Sequence, residues 1–187
     1  VRQKDVLISE INHRVKNNIS VIIGLINLQQ QKSKDIYHKN LFIEIKDKVF
    51  SMSAVQEQLL LSQEVDKINV GDFLSSLSDN LSRSYKKEVI VKIEKEDIFI
   101  DLTKGVPLGL IANEIITNSY KYAFGDLNDS PQLNIKCYKI GNEISVCFQD
   151  NGLGYNSTSE NHGMGLGIVK DLCDQIDGKI DFINNNG

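Results

Sequence analysis

From Leu7 to about Ser33 no proline interrupts the chain, and Ile8, Ile11, Val15, Ile19, Ile22 and Ile26 recur at steps of three and four. That spacing predicts one long helix with a single buried stripe. After the polar stretch Lys32, Ser33, Lys34, Asp35, a second run puts Phe42, Ile45, Val49, Met52, Leu59 and Leu60 on a comparable stripe, with Gln56 inside it. The pair reads as a helical hairpin over residues 1–66. Two amphipathic helices of this length cannot hide both stripes from water against each other alone, and pairing with a second copy into a four-helix bundle solves that. A homodimer through the N-terminal helices is therefore expected.

Beyond Asp66 a second domain, 67–187, begins. Ile68 to Val70 leads into a short helix through Phe73, Leu77 and Leu81, and Val89 to Ile93 alternates at a strand's period of two. Ile98 to Ile100 resembles another short strand. A long helix follows, capped by Thr103, tolerating Pro107 near its first turn and running to about Ala123. Leu133 to Tyr138 and Ile144 to Phe148 flank Gly141-Asn142, a tight hairpin turn. A final helix from about Gly165 to Ile176 precedes a strand through Ile180, Phe182 and Ile183. The fold class is α+β: the hairpin, then a two-layer α/β sandwich with three helices on one side of a mixed sheet.

Composition narrows the function. The 187 residues carry 21 Lys plus Arg against 25 Asp plus Glu, a net charge of 21 − 25 = −4. No general attraction to nucleic acid or anionic lipid follows from that balance. The longest apolar stretch, Ile19 to Leu28, is broken by Ser20, Gly24 and Asn27 and is too short for a membrane span. Cys137, Cys147 and Cys173 show no CxxC spacing, which suits a reducing, cytoplasmic compartment. The opening Val-Arg-Gln-Lys-Asp runs straight into a helix with no signal peptide, as expected of a piece cut from a longer protein.

Four segments carry side chains suited to chemistry. His13 lies two residues after Ile11 and two before Val15, so at ~100° per residue it points away from the apolar stripe, sharing its face with Glu10 and Asn17. A neutral imidazole there is a competent nucleophile, although position alone favours a solvated surface residue with no role. In Asn113-Glu114-Ile115-Ile116-Thr117-Asn118-Ser119-Tyr120-Lys121-Tyr122, helical spacing lines Glu114, Asn118 and Lys121 along one edge. An amide suits Mg²⁺, a lysine meets phosphate, and a carboxylate orients or deprotonates a nucleophile; an ordinary solvated face has the same pattern. Asp150-Asn151-Gly152-Leu153-Gly154 places a carboxylate at a strand end, where it can accept from adenine's exocyclic amine, or simply form a turn. Gly163-Met164-Gly165-Leu166-Gly167 opens a helix whose backbone N–H groups can cradle phosphate.

In combination these segments are recognisable. Asn113 to Tyr122 resembles the N box of the GHKL superfamily, and the two glycine segments resemble its paired glycine boxes in order. Glu10-Ile11-Asn12-His13-Arg14-Val15-Lys16-Asn17-Asn18 resembles the acceptor helix of sensor histidine kinases close to the HWE subclass, and Ser51 to Glu57 resembles its second helix. The resemblance implies that His13 is the phosphoacceptor, Glu114 the catalytic carboxylate and Asn118 the Mg²⁺ ligand. It implies that Lys121 and Tyr122 contact nucleotide phosphates, that Asp150 selects adenine, and that Gly152, Gly154, Gly163, Gly165 and Gly167 are nucleotide-loop glycines. Several positions depart from the pattern. Asn12 stands where relatives often carry a second histidine, and Gln56 where they usually carry one. Arg14 replaces the common acid, leaving the local base open between Glu10 and Glu114. The lid from Tyr155 to His162 is short, and the chain stops at Gly187, about where a last strand would begin.

The function so implied is a sensor histidine kinase core. It would bind Mg²⁺ and ATP, phosphorylate itself on His13 and pass the phosphoryl group to an aspartate on a response-regulator receiver, with its sensor domain outside this chain. Asn17, four residues past His13, matches a position where a polar residue aids dephosphorylation. A GHKL ATPase in which Glu114 activates water, and a non-catalytic dimeric nucleotide-binding scaffold, are the alternatives.

Overall fold

The computed structural model describes residues 2–39, 41–43, 45–46, 48–49, 55, 67–85, 88–124, 130–154 and 164–184. The chain separates into two compact units, Val1–Leu61 and Ser62–Gly187.

In the first unit, α1 spans Arg2–Lys32. It ends where Ser33, Lys34 and Asp35 break the apolar period, and the chain resumes as helix at residues 36–39. Asp35 starts that second helix: its Oδ1 accepts from the backbone N–H of Tyr37 at 2.9 Å, and its Oδ2 pairs with His38 Nδ1 at 2.9 Å. A side-chain acceptor at this position satisfies donors that the first helical turn leaves over. Ile19, Ile23, Ile26 and Gln30, spaced four, three and four apart, are half-buried. Ile22, expected on the buried stripe, is 45% exposed, because the stripe this unit covers passes through Ile23 instead. Val21, Leu25 and Leu28 form a second apolar line, 62%, 58% and 53% exposed. Gln56 and its flanking residues in 51–57, Val55 excepted, lie outside the described residues; Val55 itself is fully buried.

The second unit begins with β1 (Lys67–Asn69), which pairs antiparallel with β3 (Phe99–Asp101). Between them, α2 (Val70–Ser84) starts at Asn69, whose Oδ1 accepts from the backbone N–H of Asp72 at 3.1 Å. Its buried face is Val70, Phe73, Leu74, Leu77 and Ser78, the i, i+3, i+4, i+7 pattern of an amphipathic helix. The other sheet has the order β2-β4-β5. Here β2 (Ile90–Lys95) runs parallel to β4 (Gln132–Ile140), and β4 antiparallel to β5 (Glu143–Asp150). The β4–β5 loop is Gly141-Asn142 with Gly141 at φ +62°, matching the two-residue turn that needs positive φ only at its first position. Leu133, Ile135 and Cys137 alternate into the core from β4, while Asn134, Lys136 and Tyr138 do not.

α3 (Leu102–Asn118) continues into a π-helical turn, Ser119–Ala123. Thr103 does not cap this helix. The helix starts two residues earlier than expected, after Asp101, whose side chain makes no capping bond. α4 (Met164–Gln175) packs Val169 and Cys173 against Ile111 of α3, with Ile115, Leu172, Ile176 and Ile180 around them. It closes with Gly178 N–H bonded to Cys173 O at 2.8 Å and Asp177 N–H to Asp174 O at 3.1 Å, with Asp177 itself at φ +57°. The strand expected through Ile180, Phe182 and Ile183 is absent, residues 178–184 being irregular. Alternation shows only that one face can be buried. A strand also needs a neighbour in register, and Ile180 is held instead by side-chain packing on α4.

Cys137 and Cys173 are buried free thiols and Cys147 is an exposed one. Burial first, and the nearby Glu96 and Asp174 respectively, raise the two buried thiols above the ordinary thiol value. A thiol reagent at mildly alkaline pH should label Cys147 quickly and the other two only after denaturation, read by mass spectrometry. The stability these buried thiols contribute is complete below the unfolded-state thiol pKa and is lost as pH rises toward their higher folded values.

Candidate functional site

The carboxyl end of β5 meets the end of α3, and two of the predicted segments converge there. Asp150 is the last residue of β5. Its Oδ1 accepts from the backbone N–H of Gly152 at 3.1 Å, an Asx turn. Its Oδ2 accepts from the Ser119 hydroxyl at 2.8 Å. The carboxylate is therefore both a turn-former and a group tethered across 31 residues of sequence. A carboxylate offers about four acceptor positions, and two are used by these donors.

The loop after Asp150 is locked to its surroundings. Leu153 N–H donates to Ala123 O at 3.0 Å, at the end of the π-helical turn. Asn151 Oδ1 accepts from Gln132 N–H at 2.8 Å while its Nδ2 donates to Ser130 O at 2.9 Å. These bonds tie the loop to the start of β4. Gly152 has no room for a side chain: a Cβ would sit 2.5 Å from Ala123 Cβ and 2.6 Å from its carbonyl carbon. Gly154 adopts φ +75°, with the Asn184 side chain against it.

The end of α3 divides its residues sharply. Asn113 and Ser119 are each 4% exposed, Glu114 and Asn118 are half-buried, and Lys121 and Tyr122 are exposed. Tyr120 is buried, stacked on Tyr85 with centroids 5.1 Å apart and edge-on to Phe124 at 6.3 Å. The single helical edge expected for Glu114, Asn118 and Lys121 holds only for the first two. The π-helical turn from Ser119 onward is wider than an α-turn, so Lys121 does not fall back into line with Asn118. Such turns are frequent at functional sites because they redirect side chains without ending a helix.

On α4, Gly165 is buried, and a Cβ on Gly167 would meet open space. Gly163 and the 155–162 lid lie outside the described residues. His13 is placed on α1 by its backbone, and its side chain is not among those described. Beside it in sequence, Arg14 donates from Nε at 3.1 Å and Nη2 at 3.0 Å to the same oxygen, Oε1 of Glu10.

Among the described residues no cluster of three His, Cys, Asp or Glu side chains stands ready to hold a metal. Asn118, half-buried at the end of α3, offers one amide oxygen, the kind of hard ligand that Mg²⁺ can take alongside water and substrate phosphates.

A family model described as Histidine kinase, HisKA_2, matches residues 10–85, from within α1 through β1 and α2. Over that segment the chain is similar to histidine kinases. Over 183 residues, 95% of the chain, it is 24% identical to the sensor histidine kinase PdtaS of Mycobacterium tuberculosis, covering 36% of that relative. It is 21% identical over 173 residues, 88% of the chain, to blue-light-activated histidine kinase 2 of Erythrobacter litoralis, covering 49% of it. The chain thus spans between about a third and a half of the length of these curated relatives. The solved histidine kinase domain of the Erythrobacter litoralis blue-light-activated histidine kinase matches 100% of the chain and 91% of its own, with TM-score 0.67 at 18% identity. That likeness establishes the α+β fold for the chain.

Sequence reasoning quoted Ser119 only as part of the Asn113–Tyr122 segment and missed its bond to Asp150. Its signal was a small polar residue where the packing of the π-helical turn would otherwise favour an apolar one. Asn151 was quoted only as part of a turn, and its clamp on the start of β4 has no local sequence signature.

Proposed function

We propose that this chain is the catalytic core of a sensor histidine kinase that phosphorylates itself on His13 from ATP and hands the phosphoryl group to an aspartate of a response-regulator receiver. The observation that carries the reading is the tethered carboxylate of Asp150. Held by Ser119 and Gly152, it presents an acceptor at the mouth of the α3–β5 junction, where an adenine amine finds a partner and a guanine carbonyl does not.

In this reading Asn118 ligates Mg²⁺, which when bound would neutralise charge on the phosphates. Lys121 and Tyr122 are exposed and free to turn toward those phosphates. Gly152 and Gly154 let the loop backbone approach the nucleotide, and Gly163, Gly165 and Gly167 bring N–H groups of the first turn of α4 to anionic oxygens. His13 supplies the attacking imidazole nitrogen. Glu114 is the carboxylate we assign to catalysis, with Glu10 the alternative. Phosphoryl transfer asks little covalent chemistry of the protein, so positioning and charge account for most of the rate. Among the described residues no helix is long and apolar enough to cross a membrane, and we assign the domain to the cytoplasm, where ATP is available.

The exposed line Val21, Leu25 and Leu28 supports a homodimer through α1. Burying three such side chains against a second copy removes apolar area worth roughly 1.5 to 3 kcal/mol each. Leu25→Glu is expected to shift the chain from dimer to monomer in sedimentation equilibrium. A wild-type chain that is already monomeric at tens of micromolar rules out this dimer.

Incubation with γ-labelled ATP and Mg²⁺ tests the function directly. The expected result is protein-bound label that is lost in acid and kept in base, as a phosphorus–nitrogen bond requires. Steady phosphate release with no labelled protein overturns the reading in favour of a simple ATPase.

A further inference from the structure

We infer that Ser119 is a positioning residue for base recognition: its hydroxyl commits Asp150 to an acceptor-only role and so sets the preference for a purine bearing an amine, not a carbonyl, at C6. This inference rests on the reading of Asp150 as the base-selecting group.

The argument begins with one proton. Ser119 is 4% exposed, so no bulk water competes for its hydroxyl. Two acceptors lie within reach, Ile115 O at 3.3 Å and Asp150 Oδ2 at 2.8 Å. A serine in a last helical turn ordinarily bonds back to the carbonyl four residues earlier. Here that contact is the longer, and the shorter goes to a carboxylate, which binds a donor about twice as strongly as a neutral acceptor. The proton therefore points at Asp150.

Two consequences follow for the carboxylate. Its oxygens are held by donors on two different elements, Ser119 on the turn after α3 and the Gly152 N–H on the loop after β5. This fixes the plane of the group and the direction of its remaining acceptor positions. Neither partner of the pair then has a proton left for the base. A C6 amine meets an acceptor, whereas a C6 carbonyl meets lone pairs only and leaves its own acceptor without a partner, the costly side of hydrogen-bond asymmetry. Without the hydroxyl, Oδ2 is free to rotate and recruit water, and both the affinity for the amine and the rejection of the carbonyl decline.

The test measures dissociation constants of ADP and GDP for the whole chain, by calorimetry, in wild type, Ser119→Ala, Ser119→Cys and Ser119→Thr, with thermal midpoints recorded for each. Wild type is expected to prefer ADP. Ser119→Ala should weaken ADP about tenfold, the range of one hydrogen bond to a charged group, and leave GDP within about twofold. Ser119→Cys, of similar shape but a weak donor, should fall between, and Ser119→Thr should restore ADP binding to within about threefold of wild type. A general packing defect would weaken both nucleotides together and would not be rescued by threonine. If Ser119→Ala, or Ser119→Cys where alanine fails to fold, keeps the wild-type preference, the role of Ser119 is refuted while that of Asp150 stands. If wild type itself binds ADP and GDP alike, the base-selecting reading of Asp150 falls and this inference with it.

Discussion

Replacing His13 with glutamine is expected to reduce acid-labile phosphate on the chain to background while leaving ADP affinity within about twofold of wild type. The amide nitrogen of glutamine has its lone pair delocalised into the carbonyl, so it cannot attack phosphorus, whereas a neutral imidazole nitrogen can. Glutamine is also at least as good a helix former as histidine, so α1 should keep its helicity by circular dichroism. Asn12 next to His13 offers no second imidazole. Label that persists in His13→Gln would move the acceptor to another residue, and mass spectrometry of the phosphorylated chain would identify it.

Gly152→Ala should cost more than its single added methyl suggests. The new Cβ would lie 2.5 Å from Ala123 Cβ and nearer still to the backbone oxygen that accepts from Leu153 N–H. Backbone cannot swing aside as a side-chain tip does, so either the loop or the π-helical turn must move. Overpacking of this kind typically costs about 1 to 3 kcal/mol, and the displaced segment includes the N–H that holds Asp150 Oδ1 at 3.1 Å. The expected outcome is a thermal midpoint lowered by several degrees, about 2 to 8 °C per kcal/mol depending on domain size, and ADP affinity reduced more than tenfold. A variant that melts and binds like wild type would show that the loop relaxes freely and that Gly152 is not sterically required.

Part of this molecule was legible in the order of its residues. The i, i+3, i+4 spacing located α1 and α2, Gly141-Asn142 marked the β4–β5 hairpin, and the Asn113–Tyr122 and Asp150–Gly154 segments contain residues that meet at the α3–β5 junction. Each of these signals is local: a helical period, a positive-φ turn, or a motif within a dozen residues. The same local rules went astray where a partner was needed. Ile180, Phe182 and Ile183 alternate as a strand would, yet residues 178–184 form none, because a ladder depends on a neighbour. Ile22 fitted the apolar stripe as well as Ile26 did, but the hairpin covers the line through Ile19, Ile23 and Ile26 and leaves Ile22 partly in water.

By itself, then, the sequence determined which helices form, where the long hairpin of strands turns, and which side chains are chemically suited to phosphate, magnesium and adenine. Periodicity and residue type carry that information because they act through a few neighbouring residues. Only the tertiary structure decided that α3 widens into a π-helical turn, that Lys121 leaves the edge shared by Glu114 and Asn118, and that a buried hydroxyl at Ser119 takes hold of a carboxylate 31 residues away. A hydrogen bond between distant segments is fixed by how the elements pack, and packing is a property of the whole unit that no short stretch of chain encodes.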